Sequence, residues 1–214
     1  KGVRAEPGRD RSHLNGLCLQ DGEPAFVTAL GKSLKPGGWR AHKRDGGLLY
    51  DIRSGELLND SLSMPHSPRW YRDRLWLLDS GSGNFGWIDH KTGCFEAVTF
   101  CPGFARGLAF HENWAIVTLS NMRRYKGFDG LVLGERLEAM NMEPVCGALV
   151  ININTGKIEH WMSIEGKIRE FYDVSVVRDC LRPTIIGMEE LLTKDIILAP
   201  DTDAYEQLPG RLAR

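Results

Sequence analysis

The sequence lacks any long apolar run and has almost no net charge. Its longest apolar stretches, such as residues 115–119 and 149–153, are far shorter than the roughly 20 residues that cross a bilayer as a helix. The 27 basic and 28 acidic side chains leave a net charge of −1, so no overall field attracts the chain to nucleic acid or to an acidic membrane. We therefore expect neither a membrane protein nor a nucleic-acid-binding protein.

Cysteine is sparse, and the cysteines are not spaced in pairs along the sequence. The five cysteines, at positions 18, 94, 101, 146 and 180, form no CxxC motif and lack the density of a secreted disulfide scaffold. Buried free thiols in a reducing compartment account for them, so we expect a cytoplasmic protein. Position 1 is a lysine and no signal or transit pattern follows it, so we also expect the natural N-terminus to lie upstream.

What the sequence does contain is a globular composition interrupted by turn residues. Of its 214 residues, 42% are apolar and 26% are charged, and the 24 glycines and 10 prolines are spread along the chain. Short runs rich in β-branched and aromatic residues lie between them and predict ten strands and an all-β fold. The predicted strands are 25–30, 47–52, 75–79, 86–89, 97–100, 115–119, 148–152, 158–162, 174–177 and 184–187.

A self-similar unit occurs three times in the sequence. Each copy is a strand that ends in Asp or Asn, followed by two residues, a Ser or Thr, a Gly and a second strand. The Asp or Asn side chain can accept hydrogen bonds from turn amides and the glycine can adopt a positive φ, so the unit predicts a β-hairpin. The three copies begin their turns at Asp51, Asp89 and Asn152.

A polar segment precedes these hairpins and forms the other half of a longer repeat. Its copies start at positions 13, 66, 104 and 170, which are 53, 38 and 66 residues apart. The shortest spacing is close to the roughly 40–50 residues of a four-stranded propeller blade. We therefore predict a β-propeller of four-stranded blades, of which this chain holds three to four from a larger ring. We expect residues 1–187 to form this partial propeller and residues 188–214 a peripheral extension.

Two insertions interrupt the repeat between the second and third strands of a blade. They span residues 31–44, which are rich in Lys and Arg, and residues 121–145, which contain a short helical pattern over 134–142. Long connections in an economical repeat often carry function. We expect the first insertion to place Trp39 against a ligand.

Longer motifs give the sequence a family resemblance. They are HLNG at 13–16, MPHSPRW at 64–70, LDSGSG at 78–83 and PGFARG at 102–107. With these motifs, residues 12–187 resemble a family of bacterial conserved hypothetical proteins. That family has no established activity, and the resemblance implies a longer parent with further propeller repeats before Lys1.

A more distant resemblance concerns single blades. The polar starts followed by residues 75–80 are similar to six-bladed propellers of the gluconolactonase, regucalcin and strictosidine synthase type. Gluconolactonase-type propellers hold a divalent metal on Glu, Asn and Asp side chains around the central channel. The resemblance implies that Asn15, Glu170 and Asp173 occupy the comparable positions here.

The repeat also predicts where functional residues meet. Residues at the starts of innermost strands converge on one end of a propeller channel, so we predict a site at this channel mouth. A histidine beside a carboxylate can serve there as a general base, and an arginine can neutralise an anionic ligand or an oxyanion. The predicted catalytic residues are His13, His66, Arg106 and Glu170, and the predicted ligand-binding residues are Asn15, Trp39, Arg69, Tyr172 and Asp173.

A divalent metal ion is one interpretation of this channel mouth. The imidazoles of His13 and His66 together with the Glu170 carboxylate are ligands that zinc, manganese or iron accept, and an open position would activate water. In the other interpretation, the polar residues only seal the channel, for example through a pair of Arg106 with Asp79 or Asp173.

Two functions stay open on the sequence alone. In the first, the channel mouth binds a small anionic molecule, and the reaction, if there is one, is metal-assisted hydrolysis or lactonase-like chemistry. In the second, the chain is a non-enzymatic propeller scaffold, with a protein partner or a second copy bound at its insertions or open blade edges.

Overall fold

Twelve strands dominate the described part of the chain, which comprises residues 10–89, 91–121 and 130–180 of the computed structural model. The strands form three four-stranded antiparallel sheets, and within each sheet they lie side by side in chain order. The fold is therefore all-β, and its repeated sheets are blades of a partial β-propeller. All three blades belong to one compact unit, Lys1–Val176.

Each blade is a meander of four strands. The first blade consists of β1 (Leu14–Gln20), β2 (Glu23–Ala29), β3 (Gly47–Asp51) and β4 (Glu56–Leu62). The second consists of β5 (Pro65–Tyr71), β6 (Arg74–Asp79), β7 (Asn84–Ile88) and β8 (Phe95–Phe100). The third consists of β9 (Phe104–His111), β10 (Trp114–Ser120), β11 (Gly147–Asn152) and β12 (Ile158–Ser163). Eight of the ten predicted strands are confirmed by these elements.

The first strand of each blade lies at the centre of the fold. β5 packs against both β1 and β9, as innermost strands of consecutive blades do. Each of the three has an irregular register near its start, between Leu14 and Gly16, between His66 and Arg69, and between Ala105 and Leu108. Such β-bulges redirect the side chains beside them.

The predicted hairpin turns are confirmed in all three blades. Asp51 Oδ1 accepts hydrogen bonds from the backbone N–H groups of Arg53 and Ser54 at 2.8 and 3.3 Å. The side chains of Asp89 and Asn152 accept equivalent bonds. The glycine that closes each turn has a φ between 70° and 75°, a conformation that glycine adopts without steric cost.

Apolar side chains fill the spaces between neighbouring blades. Because one sheet cannot bury both of its faces, stacking of the blades supplies the core. Between the first and second blades the core includes Phe26, Leu49, Leu75 and Leu77. Between the second and third it includes Trp76, Phe85, Leu108 and Val117. None of these side chains is more than 3% exposed.

Glycines allow close approach of consecutive first strands. A Cβ atom on Gly16 would lie 2.4 Å from Cδ of Pro68 in the next blade, and one on Gly107 would lie 2.7 Å from the backbone of Asp173. The segment around Asp173 therefore lies against β9 of the third blade in the same way as β5 lies against β1 of the first blade.

Both predicted insertions connect the second and third strands of their blades. The first contains a short 3-10 helix (Gly38–His42) and the second contains α1 (Val132–Ala139). Leu133 and Leu137 lie one turn apart on α1 and are buried with Phe104, because residues four apart share a helix face. Neither helix of the described residues is long and apolar enough to cross a membrane.

The C-terminal part departs from the sequence prediction. The predicted strand 174–177 is wrong, because those residues form no strand and no described strand lies beyond them to pair with. The segment before residue 174 nevertheless contacts the end of the third blade, since the N–H of Asn121 donates to the carbonyl of Arg169 at 2.8 Å. The predicted strand 184–187 and the predicted domain boundary after residue 187 lie outside the described residues.

Candidate ligand-binding site

A cavity of about 510 Å³ opens at the end of the blades where β1, β5 and β9 begin. Ligand sites in proteins have volumes of about 300–1,000 Å³. Eight of the nine predicted site residues line this cavity, namely His13, Asn15, Trp39, His66, Arg69, Arg106, Tyr172 and Asp173. The ninth, Glu170, contacts two of them, Arg106 and Tyr172. We refer to this cavity as the channel-mouth pocket.

Three residues of the channel-mouth pocket have a left-handed backbone conformation. His13, Met64 and Ser67 line it with φ angles of 51°, 47° and 48°, in a region that residues with a Cβ atom rarely occupy. Such conformations persist where the surrounding structure imposes them, and they cluster at binding and catalytic sites.

His66 is a neutral imidazole whose tautomer is determined by its neighbours. Its Nδ1 lies 2.9 Å from the carbonyl oxygen of Met64. A carbonyl only accepts, so Nδ1 carries the proton and Nε2 keeps its lone pair. Burial, assisted by the charge of Arg106 and opposed by the Met64 hydrogen bond, lowers the pKa of His66 to about 4. At neutral pH, His66 therefore offers Nε2 as a hydrogen-bond acceptor.

Asp10 is a residue of the site that the sequence analysis missed. Its Oδ2 accepts hydrogen bonds from Nδ1 of His13 at 2.8 Å and from Nε1 of Trp39 at 3.1 Å. Although burial opposes it, these hydrogen bonds lower the pKa of Asp10. The only signal in the sequence was the spacing of three residues from Asp10 to His13, which is too common to indicate a pair. Asp10 orients both His13 and Trp39 at the pocket.

The two arginines of the pocket are held by the first strands and by neighbouring rings. Arg69 donates from Nε to the carbonyl of Leu108 at 3.0 Å and from Nη1 to that of Pro68 at 3.1 Å. Arg106 stacks over the ring of Tyr172, with 4.5 Å between Cζ and the ring centroid. The carboxylates of Asp173 and Glu170 lie 3.5 and 3.8 Å from the guanidinium nitrogens of Arg69 and Arg106, respectively.

Asn15 and Ser67 join consecutive first strands at the pocket. Asn15 donates from Nδ2 to the carbonyl of Pro65 at 2.7 Å, and its Oδ1 accepts from Thr28 at 2.8 Å. Ser67, which the sequence analysis did not select, donates from Oγ to the carbonyl of Arg106. Asn15 therefore has a structural role between the first two blades, and one N–H of its amide is left for the pocket.

The predicted metal site is not assembled in the described structure. Across residues 10–89, 91–121 and 130–180, no three His, Cys, Asp or Glu side chains are grouped so that they could hold a metal ion. Each side chain of the predicted triad has a hydrogen-bond partner of its own. His13 pairs with Asp10, His66 pairs with Met64, and Glu170 accepts from Tyr172 at 2.7 Å. The described structure therefore does not group these three side chains around one position, and a metal site on His13, His66 and Glu170 stays a prediction.

Comparisons with known proteins give a family but no activity. The model of a family described as "Domain of unknown function (DUF4915)" matches residues 3–186. No curated protein matches the sequence. The relation to gluconolactonase-type propellers stays a prediction.

Several solved structures are similar to the chain at a distance. The computationally designed Ika4 protein is 15% identical, with 83% of this chain and 86% of that chain covered and a TM-score of 0.45. The designed Ika8 protein is 14% identical, with 78% and 41% covered and a TM-score of 0.42. Dihydro-heme d1 dehydrogenase NirN, in complex with DHE, is 12% identical, with 71% and 28% covered and a TM-score of 0.41. The chain thus spans less than half of the Ika8 and NirN chains, and these similarities carry no functional argument.

Proposed function

The chain belongs to the DUF4915 family, and we propose that it binds a small organic anion in the channel-mouth pocket. The observation that carries this proposal is the presence of two guanidinium groups, those of Arg69 and Arg106, in the wall of one cavity. Guanidinium groups form strong, charge-assisted hydrogen bonds with carboxylates and phosphates.

The arginines are positioned before any ligand arrives. Two backbone carbonyls orient Arg69, and the ring of Tyr172 supports Arg106. Preorganised side chains lose little conformational freedom on binding, which favours affinity. The carboxylates of Asp173 and Glu170 stand at ion-pair distances of 3.5 and 3.8 Å, longer than a charge-assisted hydrogen bond, so an anion can compete with them for the guanidinium groups.

A hydrolytic reaction on the bound anion is compatible with the same residues. The Asp10 carboxylate accepts the Nδ1 proton of His13, which leaves Nε2 of the neutral imidazole as a base, as in other Asp–His pairs. An arginine in the wall of the same cavity can stabilise the oxyanion of an ester or lactone. This lactonase-like chemistry does not require the metal triad that the sequence suggested.

The proposal is tested by the affinity of Arg106 variants for organic anions. We expect Arg106→Gln to weaken the binding of gluconate or citrate about 10- to 100-fold, because a hydrogen bond to a charged group is worth roughly 1.5–3 kcal/mol. Arg106→Lys retains the charge without the planar fork and should give an intermediate affinity. Isothermal titration calorimetry measures these affinities.

Arg72→Gln is the matched control for the arginine variants. Arg72 lies in the turn between β5 and β6, at the other end of the second blade, and donates to Asn113. Its replacement should leave anion affinity unchanged. Equal affinities for Arg106→Gln and Arg72→Gln would refute the assignment of the site.

A protein-binding function is the second candidate, and exposed leucines on β1 favour it. Leu14, Leu17 and Leu19 are 71%, 50% and 53% exposed, whereas Leu108 of β9, another innermost strand, is fully buried. Contiguous exposed apolar side chains mark surfaces that bind other proteins. In this proposal a second copy of the chain or a protein partner covers β1.

Self-association through β1 has a direct test. We expect Leu14→Ser with Leu19→Ser to shift the protein from oligomer to monomer in sedimentation velocity, because two exposed apolar contacts are lost. Leu34→Ser, at a leucine that is 78% exposed in the first insertion, is the control and should change nothing. A wild-type protein that stays monomeric at high concentration would contradict self-association.

A further inference from the structure

The first insertion, residues 31–44, brings a concentration of positive charge to the channel-mouth pocket. It contains no acidic residue, although the whole chain has 27 basic and 28 acidic side chains. Its five cations are Lys32, Lys35, Arg40, Lys43 and Arg44. Trp39 of the same insertion lines the pocket. Because charge of one sign beside a cleft raises the local concentration of oppositely charged ligands, the insertion strengthens the attraction of anions to this pocket.

One of the five cations already has an acidic partner. The two Nη atoms of Arg44 donate to the carboxylate of Glu135 on α1 at 2.6 and 3.0 Å, and this bidentate pair joins the two insertions. Within the described ranges, no ion pair involves any of the other four cations. Lys32, Lys35 and Arg40 are also exposed. Their charges can therefore act on a ligand.

Arg40 is attached to the wall of the pocket through Trp39. Its guanidinium stacks over the indole ring, with 4.4 Å between Cζ and the ring centroid. The indole is itself held in place, because its Nε1 donates to Asp10 at 3.1 Å and its ring lies 4.9 Å from that of His13. The Nη1 atom of Arg40 donates to the carbonyl of Gly37 at 3.4 Å, which is longer than a normal hydrogen bond. A stacked guanidinium keeps its N–H groups at its edge, where a carboxylate or phosphate can accept them.

From this arrangement, we infer that the ligand carries two anionic groups, one in the channel-mouth pocket and the second at Arg40 on the first insertion. This inference rests on the proposed anion-binding function and adds the class of anion, an organic acid with a further carboxylate or phosphate. The arginines of the pocket belong to β5 and β9, whereas Arg40 belongs to the first insertion. A cavity of about 510 Å³ has the size of a small-molecule site. Arg40 is thus a specificity-determining residue, which favours diacids over monoacids.

Diacids and monoacids of equal chain length isolate the effect of the second charge. Succinate, adipate and suberate are compared with butanoate, hexanoate and octanoate by isothermal titration calorimetry on the full chain, and 6-phosphogluconate is compared with gluconate to test a phosphate. We expect the doubly charged acid of at least one pair to bind about three- to tenfold more tightly, because a charge-assisted hydrogen bond at an exposed arginine contributes modestly. If no pair shows this preference, the inference is overturned and the anion-binding proposal stands.

Variants of Arg40 connect the preference to the first insertion. In Arg40→Gln the doubly charged acid should lose its advantage while the monoacid binds as before, and in Arg40→Glu it should bind more weakly than the monoacid. Arg72→Gln is the matched control, since Arg72 also stacks on the aromatic residue before it, with 5.6 Å between its Cζ and the ring centroid of Tyr71. A wild-type preference that persists in both Arg40 variants would also overturn the inference. If none of these acids binds the wild-type chain, both the inference and the proposed function fail.

Discussion

Replacement of Trp76 by alanine is expected to lower the free energy of unfolding by about 3–5 kcal/mol, the range for removal of a large buried aromatic side chain. Trp76 lies on β6 and is 1% exposed. Its ring stacks on that of Phe85, with 5.1 Å between centroids, and it contacts Phe110 of the third blade at 5.7 Å. Its Nε1 donates to the carbonyl of Tyr71 at 3.0 Å. The variant therefore opens a cavity between two blades and loses a partly buried hydrogen bond.

Trp161→Ala is the matched control for this prediction. Trp161 lies on β12, the outer strand of the third blade, and is 71% exposed. Its removal should change the free energy of unfolding by less than about 1 kcal/mol. Urea unfolding followed by circular dichroism measures both variants. Similar losses for Trp76→Ala and Trp161→Ala would show that the interface between the second and third blades does not hold the fold together.

The second large effect concerns the pH dependence of stability, to which His66 and Asp79 contribute with opposite sign. Asp79 is 8% exposed. Burial raises its pKa to about 6, although hydrogen bonds from Ser82 and from the N–H of Ser63 oppose the rise. The pKa of His66 is lowered to about 4. Each shift of 2 to 2.5 pKa units corresponds to about 3 kcal/mol.

The signs follow from the protons bound in each state. The lowered pKa of His66 gives a contribution that is complete above the unfolded value of 6.5 and is lost as the pH falls towards 4. The raised pKa of Asp79 gives a contribution that is complete below 3.8 and is lost as the pH rises through 6. Between pH 4 and 6 the two contributions therefore offset each other in the wild-type chain.

Each single variant should show the pH dependence of stability that comes from the remaining group, because the offsetting contribution of the replaced group is removed. Relative to wild type, we expect Asp79→Asn to gain about 2 kcal/mol of stability as the pH rises from 4 to 6, because the unfavourable ionisation is removed. Over the same range we expect His66→Gln to lose about 2 kcal/mol relative to wild type. The double variant should again follow the wild-type profile. Urea unfolding at a series of pH values gives the profiles, and parallel profiles for all four proteins would contradict the assignment of both groups.

Local chemistry explains why the blades were predictable from the sequence. The turn from Asp51 to Gly55 is stabilised by hydrogen bonds within five residues, so its pattern is visible wherever it recurs. The repeat then predicted which distant residues meet, and eight of the nine predicted site residues line one cavity. The prediction of a strand at 174–177 failed because a strand also needs a neighbour to pair with, and none of the described strands pairs with these residues.

Contacts between segments explain what the sequence analysis missed. Nothing around Asp10 in the sequence indicates that it accepts from both His13 and Trp39, since Trp39 comes from an insertion 29 residues later. The predicted metal triad shows that equivalent repeat positions do not by themselves bring side chains together in one group. His13, His66 and Glu170 occur at the right repeat positions, but each side chain is directed to a partner that the repeat does not reveal.

Sequence reasoning alone was enough to predict the all-β fold, the four-stranded repeat, the positions of the two insertions and the end of the blades at which polar residues gather. These properties follow from periodicity, turn chemistry and the order of strands, all of which are local. The sequence did not reveal the tautomer of His66, the lowered pKa that keeps it neutral, the pairing of Asp10 with His13 or the absence of a metal-binding group among the described residues. These depend on burial and on side-chain partners from other blades, because hydrogen-bond geometry and desolvation are properties of the packed structure.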